Sequence, residues 1–337
     1  MENSFKVALV GLDGQALPDS VVKGLAEQAI NLVVHECENH ADLAQWAGDA
    51  DVVWVLGSSR CLHGQMSPEE LTILPKCGAI IRTGSGTDNV PVKAATKLGI
   101  VVANTPDALN DAVSDHAIGL LFAVIRQIAL QDRNVRNGIW DRTRGYPNWH
   151  LKEQTLGLVG FGRIARTVVQ KLAGFQMTNL AYDPFLPPEM FAKHSVLSVS
   201  LDELFRRSDF VSIHCPLTPQ TRHLIGKPEF ERMKPAAILI NTSRGPVIDE
   251  SALIAALKSR QIAGAGLDVF ETEPLDSGNP LLQFENVVVT PHLGGYSDQY
   301  LPNCWQLSME TAIDLWKGKW PRSCVNPEVQ PRWNLTR

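Results

Sequence analysis

Three side-chain types in the second half of the chain could together do acid–base chemistry on an anionic substrate. They are a fixed cation, a carboxylate and an imidazole. Arg244 lies in Asn241-Thr242-Ser243-Arg244-Gly245, and His292 in Pro291-His292-Leu293-Gly294-Gly295. The carboxylate comes from Asp268-Val269-Phe270-Glu271-Thr272-Glu273-Pro274. A guanidinium presents a planar fork that matches a carboxylate through two parallel hydrogen bonds. An imidazole exchanges a proton near neutral pH. A carboxylate at hydrogen-bond distance would orient that ring and favour its protonated form. Taken singly, an arginine is more often a surface residue and a histidine a satisfied structural one. Two glutamates, Glu271 and Glu273, compete for the third role, and residue type alone does not choose between them.

A second signature lies upstream. Gly160-x-Gly162-x-x-Ala165 follows an apolar run, Thr155–Val159, and opens a helix-like segment. This is the dinucleotide fingerprint with alanine in its third position. Gly160 permits the tight turn, Gly162 lets backbone amides reach a pyrophosphate, and the helix N-terminus favours its negative charge. Asp183 follows 21 residues beyond Gly162, at the end of the next apolar run. A carboxylate there would bond the ribose hydroxyls of NAD and repel the extra phosphate of NADP. A plain glycine turn followed by a loop aspartate is the competing reading, and the strand–turn–helix context disfavours it.

These residues need strands to carry them. Short apolar, β-branched runs recur at 6–10, 32–35, 52–56, 79–82 and 100–103, then at 155–159, 179–182, 210–214, 237–241, 264–269 and 286–290. Continuous apolar runs alternating with helical segments predict parallel sheets buried on both faces. Arg244 and His292 each follow such a run, and charged groups at strand carboxyl ends point into the ligand crevice of an open α/β sheet. Ser200-Leu201-Asp202-Glu203 predicts a capping box, and Asp249 caps a helix through Leu257. One long helix is expected from about Ala112 to Asn137, leading to the loop Tyr146-Pro147-Asn148. The segment from Tyr296 to Lys317 is helix-like again.

Composition narrows the class. The 337 residues suffice for two ordinary domains. A hydrophobic fraction of 44% with 20% charged residues is globular. A net charge of −5 leaves no basic footprint for nucleic acid and no polybasic membrane anchor. The six cysteines form no CxxC pair, which predicts reduced thiols and a cytoplasmic protein. No metal is expected. The most apolar stretch, Ala117 to Ile125, is far shorter than the roughly 20 residues a membrane span requires. It reads as a buried helix, and the N-terminus enters a strand-like run without an apolar leader.

With these residues in view, the chain resembles the D-isomer-specific 2-hydroxyacid dehydrogenase family over nearly its whole length. That family includes phosphoglycerate, glyoxylate/hydroxypyruvate and D-lactate dehydrogenases and the C-terminal-binding-protein corepressors. Arg82-Thr83-Gly84-Ser85-Gly86-Thr87-Asp88-Asn89-Val90 resembles its substrate-carboxylate loop, and Asn104-Thr105-Pro106 its entry to the cofactor domain. The Asn-Thr-Ser-Arg-Gly, Asp-Val-Phe-x-x-Glu-Pro and Pro-His-x-Gly-Gly stretches resemble its catalytic motifs, and Val325-Asn326-Pro327 its C-terminal ending. The resemblance implies two doubly wound α/β domains, a flavodoxin-like substrate domain (1–104 plus 293–337) and a Rossmann NAD-binding domain (105–292). It implies a catalytic trio of Arg244, Glu273 and His292, the glutamate being the one before the proline. It implies NAD(H) contacts from Gly160, Gly162, Arg163, Ile164, Asp183, Cys215, Pro216, Thr221, Thr242, Asp268, His292 and Gly294. It implies substrate contacts from Ser85, Gly86 and Arg244, and a homodimer through the helical region between Asn104 and His150.

Departures from the family bear on substrate. Gly57 stands where phosphoglycerate enzymes carry an arginine, and Arg60 could substitute for it. Val113-Ser114-Asp115-His116 replaces the commoner Val-Ala-Glu-His. The implied reaction is NAD(H)-dependent interconversion of a D-2-hydroxy acid and its 2-keto acid. An alternative is an NAD-sensing regulatory or assembly protein with vestigial dehydrogenase activity, like the corepressor branch. Gly295, where that branch has tryptophan, and the lack of long disordered tails argue against it. Pro291 replaces the glutamine that formate dehydrogenases place before the histidine.

Overall fold

A computed structural model describes residues 4–12, 16–56, 65–145 and 148–336. The chain divides into two compact units, Met1–Leu109 with Ser297–Arg337, and Asn110–Tyr296.

In the first unit the order is β1 (Lys6–Val10), α1 (Asp19–Ala26), β2 (Asn31–His35), α2 (His40–Ala47), β3 (Val52–Val55), β4 (Ala79–Arg82), α3 (Val92–Lys97) and β5 (Val101–Asn104). The strands form a parallel sheet in the order β2-β1-β3-β4-β5. That is the flavodoxin-like order. Every residue of β3 is buried, which explains the unbroken apolar run Val-Val-Trp-Val. The indole of Trp54 donates to Thr83 Oγ1 at 2.7 Å, satisfying its one polar atom inside the core.

The second unit begins with α4 (Asn110–Ile125) and α5 (Ile128–Arg136). There follow β6 (Thr155–Val159), α6 (Arg163–Lys171), β7 (Thr178–Tyr182), α7 (Pro188–Lys193), β8 (Leu197–Ser198), α8 (Leu201–Arg207) and β9 (Phe210–Ile213). The unit ends with α9 (Lys227–Arg232), β10 (Ile238–Asn241), α10 (Glu250–Lys258), β11 (Gly264–Leu267) and β12 (Val287–Val289). Its parallel sheet runs β12-β11-β10-β9-β6-β7-β8. This is the Rossmann order extended by one strand. The order reverses at β6, beside β9, and ligands bind outside the carboxyl ends of the strands at such a point. The last helix, α11 (Tyr300–Trp316), returns to the first unit, where Trp305 meets Trp54 with ring centroids 5.4 Å apart.

Three expectations are corrected. The single helix expected over 112–137 is two helices bent by 59°. Gln127 between them adopts a left-handed conformation, φ +52°, which ends the α-helical hydrogen-bond ladder without any glycine or proline. The capping box at Ser200 is half-made: its hydroxyl accepts from Glu203 N at 3.2 Å, while the Glu203 carboxylate turns to Arg207. Strand β8 was unforeseen because both its residues are exposed and carry no apolar run. Asp249 caps α10 as expected, accepting from Ala252 N at 3.0 Å. No single described helix is long and apolar enough to cross a membrane. Helix α4 buries Ala117, Leu120, Leu121, Val124 and Ile125 in the core it shares with Leu156, Leu158 and Ile240. The five described cysteines are free thiols.

Candidate active site

Neighbouring strands β10, β11 and β12 each end in a loop that carries one member of the trio. After β10, buried Asn241 builds the turn that presents Arg244. Its Oδ1 accepts from Ser243 N at 3.0 Å and Ser243 Oγ at 2.9 Å, while its Nδ2 donates to Arg244 O at 3.0 Å. Gly245 follows because nothing larger fits: a Cβ there would sit 1.8 Å from Phe270 O and 2.6 Å from Glu271 N. Both are backbone atoms, so the Arg244 turn lies directly against the loop that carries the glutamates.

The two glutamates part company. Glu273 Oε2 lies 2.6 Å from His292 Nδ1, whereas Glu271 Oε1 lies 2.6 Å from His223 Nε2. The other Glu273 oxygen accepts from Phe270 N at 3.0 Å. Burial works to raise the Glu273 pKa. The hydrogen bonds from His292 and the Phe270 amide outweigh it, helped by the charges of His292 and Arg244, and hold the carboxyl below the usual glutamate range. With Nδ1 engaged, Nε2 is the ring atom left to exchange a proton with a ligand.

His292 adopts φ +52°, a left-handed conformation that L residues rarely take. Asp268, directly after β11, holds it there. Its carbonyl accepts from His292 N at 2.8 Å, its Oδ1 from Leu293 N at 2.9 Å and its Oδ2 from Gly294 N at 2.8 Å. Oδ1 also accepts from Thr290 Oγ1 at 2.6 Å, and Thr290 Oγ1 lies 2.8 Å from His116 Nε2. Asp268 is 1% exposed. Burial would raise its pKa, but the bonds from His116, Thr290 and the Leu293 and Gly294 amides lower it overall, so it stays ionised. Sequence reading gave Asp268 a ligand-facing role and missed His116 and Thr290. The available signal was a histidine set within the apolar helix that begins at Asn110.

The other half of the crevice lies at β6, β7 and β9. Gly160 has φ +87°, and a Cβ on it would come 2.7 Å from Cys215 N, so only glycine seats the turn against the loop after β9. Among the described residues there is open space above Gly162, and as the N-cap residue this glycine offers no side-chain cap to the α6 N-terminus that Arg163 and Ile164 begin. Asp183 Oδ2 accepts from Phe161 N at 3.0 Å and Oδ1 from Phe185 N at 3.1 Å, leaving lone pairs for further donors. Thr221 Oγ1 donates to Pro216 O at 2.6 Å and accepts from Thr218 N at 2.7 Å, closing the loop after Cys215. Burial pushes the Cys215 thiol up to about 11, so it is neutral, and pushes His214 down to about 4. Thr242 Oγ1 is buried without a hydrogen-bond partner among the described residues. An uncapped helix N-terminus, an open glycine, a carboxylate at the end of β7 and an orphaned hydroxyl at the end of β10 fit a dinucleotide.

In the first unit, Gly84 N donates to Thr105 Oγ1 at 2.7 Å, and Asn104 Nδ2 donates to Ser85 O at 2.7 Å. These bonds fix the loop of Ser85 and Gly86 at the end of β4. Gly57 and Arg60 lie outside the described residues.

Comparison with known proteins adds an independent line. The family described as D-isomer specific 2-hydroxyacid dehydrogenase, NAD binding domain, matches residues 118–294. A glyoxylate reductase of Korarchaeum cryptofilum is 42% identical over 272 residues, covering 80% of this chain and 82% of that protein. A glyoxylate/hydroxypyruvate reductase B of Citrobacter koseri is 36% identical over 324 residues, covering 94% and 97%. Among solved structures, a glyoxylate reductase from Paecilomyes thermophila superposes with a TM-score of 0.88 at 29% identity, covering 96% of this chain and 99% of that one.

Proposed function

The chain belongs to the D-isomer-specific 2-hydroxyacid dehydrogenase family and is an NAD-dependent oxidoreductase, and we propose that Arg244, Glu273 and His292 carry its chemistry on a small 2-keto acid. The observation that supports this most is the 2.6 Å pair of His292 Nδ1 and Glu273 Oε2 at the ends of adjacent strands. It leaves Nε2 as the proton donor.

A bound nicotinamide would supply hydride to the carbonyl carbon, or take it back from the hydroxy acid. The chain's own groups do the rest. The Arg244 fork holds the substrate carboxylate and polarises the carbonyl oxygen. His292 Nε2 gives its proton to the oxygen that becomes the hydroxyl, and Glu273 sustains the charge on the ring until it does. Holding the acceptor oxygen against Nε2 makes the proton transfer effectively intramolecular. The α6 N-terminus receives the pyrophosphate, and Asp183 receives the ribose hydroxyls. The amides of Ser85 and Gly86 are assigned to the substrate carboxylate.

Glyoxylate and hydroxypyruvate are the first acids to test, because relatives carry their names. Following NADH absorbance with these and with pyruvate tests the reading. Turnover of at least one supports it. No turnover of any would favour a regulatory protein that senses NAD. A homodimer through the second unit is also proposed. Ile128 (55% exposed), Val135 (52%) and Trp140 (83%) leave apolar surface around α5. Light scattering of the purified protein tests it.

A further inference from the structure

We infer that His116, on α4, is a positioning residue that fixes the loop presenting His292. The inference rests on the reading of His292 as the proton donor. The direction of the hydrogen bonds carries it. Thr290 has one hydroxyl hydrogen, and its 2.6 Å bond to Asp268 Oδ1 uses it. The Thr290 oxygen therefore accepts from His116 Nε2 across 2.8 Å, so that nitrogen bears a hydrogen. His116 Nε2 also lies 3.3 Å from Asp268 Oδ1.

Asp268 in turn receives three consecutive backbone amides, those of His292, Leu293 and Gly294. The segment is seated closely. A Cβ on Gly294 would lie 2.8 Å from Asp268 Oδ2 and 3.3 Å from His116 Cδ2. A buried carboxylate is costly unless its oxygens are satisfied, and His116 and Thr290 bring the only side-chain hydrogen bonds described for it. Without them the carboxylate would turn toward other donors and draw the Leu293 and Gly294 amides with it. His292 sits at φ +52°, a conformation that persists only while its surroundings enforce it. Helix α4 is a firm base for this control, since Ala117, Leu120 and Leu121 beside His116 are core residues.

The test compares His116→Leu and His116→Gln with the unaltered protein, using NADH and hydroxypyruvate. Glutamine places an N–H at about the position of Nε2, and leucine places none. We expect His116→Leu to lower kcat about tenfold or more, with KM for the keto acid changed less than kcat. His116→Gln should recover most of that loss. Thr290→Val removes the relay from the other side, and it should lose kcat similarly even if His116→Leu fails to fold. Wild-type kcat in His116→Leu or in Thr290→Val, or equal losses in the leucine and glutamine variants, would overturn the inference. His292→Ala is measured alongside. If it stays active, the acid assignment fails and the inference with it. If it is inactive while His116→Leu is fully active, only the positioning role fails.

Discussion

His292 Nδ1 and Glu273 Oε2 face each other across 2.6 Å, each from a loop that follows one of two adjacent parallel strands. The contact ties a ring to a carboxylate whose pKa burial works to raise. The hydrogen bonds from His292 and Phe270 N keep that carboxylate ionised.

The pair has a signature in stability against pH. Glu273 titrates below the ordinary glutamate value of 4.5 in the folded protein. A depressed folded pKa contributes stability that is present above the unfolded pKa and is lost as pH falls through the folded one. Wild type should therefore be more stable than Glu273→Gln at pH 7, and that difference should shrink as pH falls below 4.5. Thermal melts of both proteins at a series of pH values read this. A difference that does not change with pH would contradict it.

Gly245 is a packing requirement for the site. In Gly245→Ala the new methyl would overlap Phe270 O, a backbone atom that cannot rotate away. The Arg244 turn and the Glu273 loop must then separate. We expect a loss of about 2 kcal/mol or more in unfolding free energy, measured by denaturant titration, with activity falling in parallel. A variant as stable and active as wild type would show that the two loops can part freely.

Asp183 accepts from Phe161 N, and its proposed role in cofactor selection can be tested apart from that bond. Asp183→Asn keeps an acceptor for Phe161 N but removes the charge, while Asp183→Ala removes both. Both should lower the ratio of kcat/KM for NADH over NADPH, by roughly tenfold if charge repulsion of the 2′-phosphate dominates. An unchanged ratio in both variants would remove Asp183 from cofactor selection.

Much of this was legible in the chain because the physics is local. Continuous apolar runs mark strands buried on both faces, and Gly160 and Gly162 mark a strand–turn–helix junction. Sheet order was not legible in the runs themselves, which show that a strand is buried and not which strands flank it; only the family resemblance implied the flavodoxin-like and Rossmann orders. Gln127 breaks the helix with a residue that has no turn preference strong enough to announce it. The two glutamates are indistinguishable by type and spacing. Only the fold brings His292 to one and His223 to the other. His116 meets Thr290 from 174 residues away, beyond the reach of any local pattern.

The most direct measurement is the turnover of His292→Ala with NADH and the 2-keto acid that the wild-type protein reduces best. If Nε2 of His292 delivers the proton, kcat should fall roughly 10²-fold or more while the protein remains folded and binds NADH. A folded, NADH-binding His292→Ala protein that reduces the acid at a near-wild-type rate would contradict the assignment.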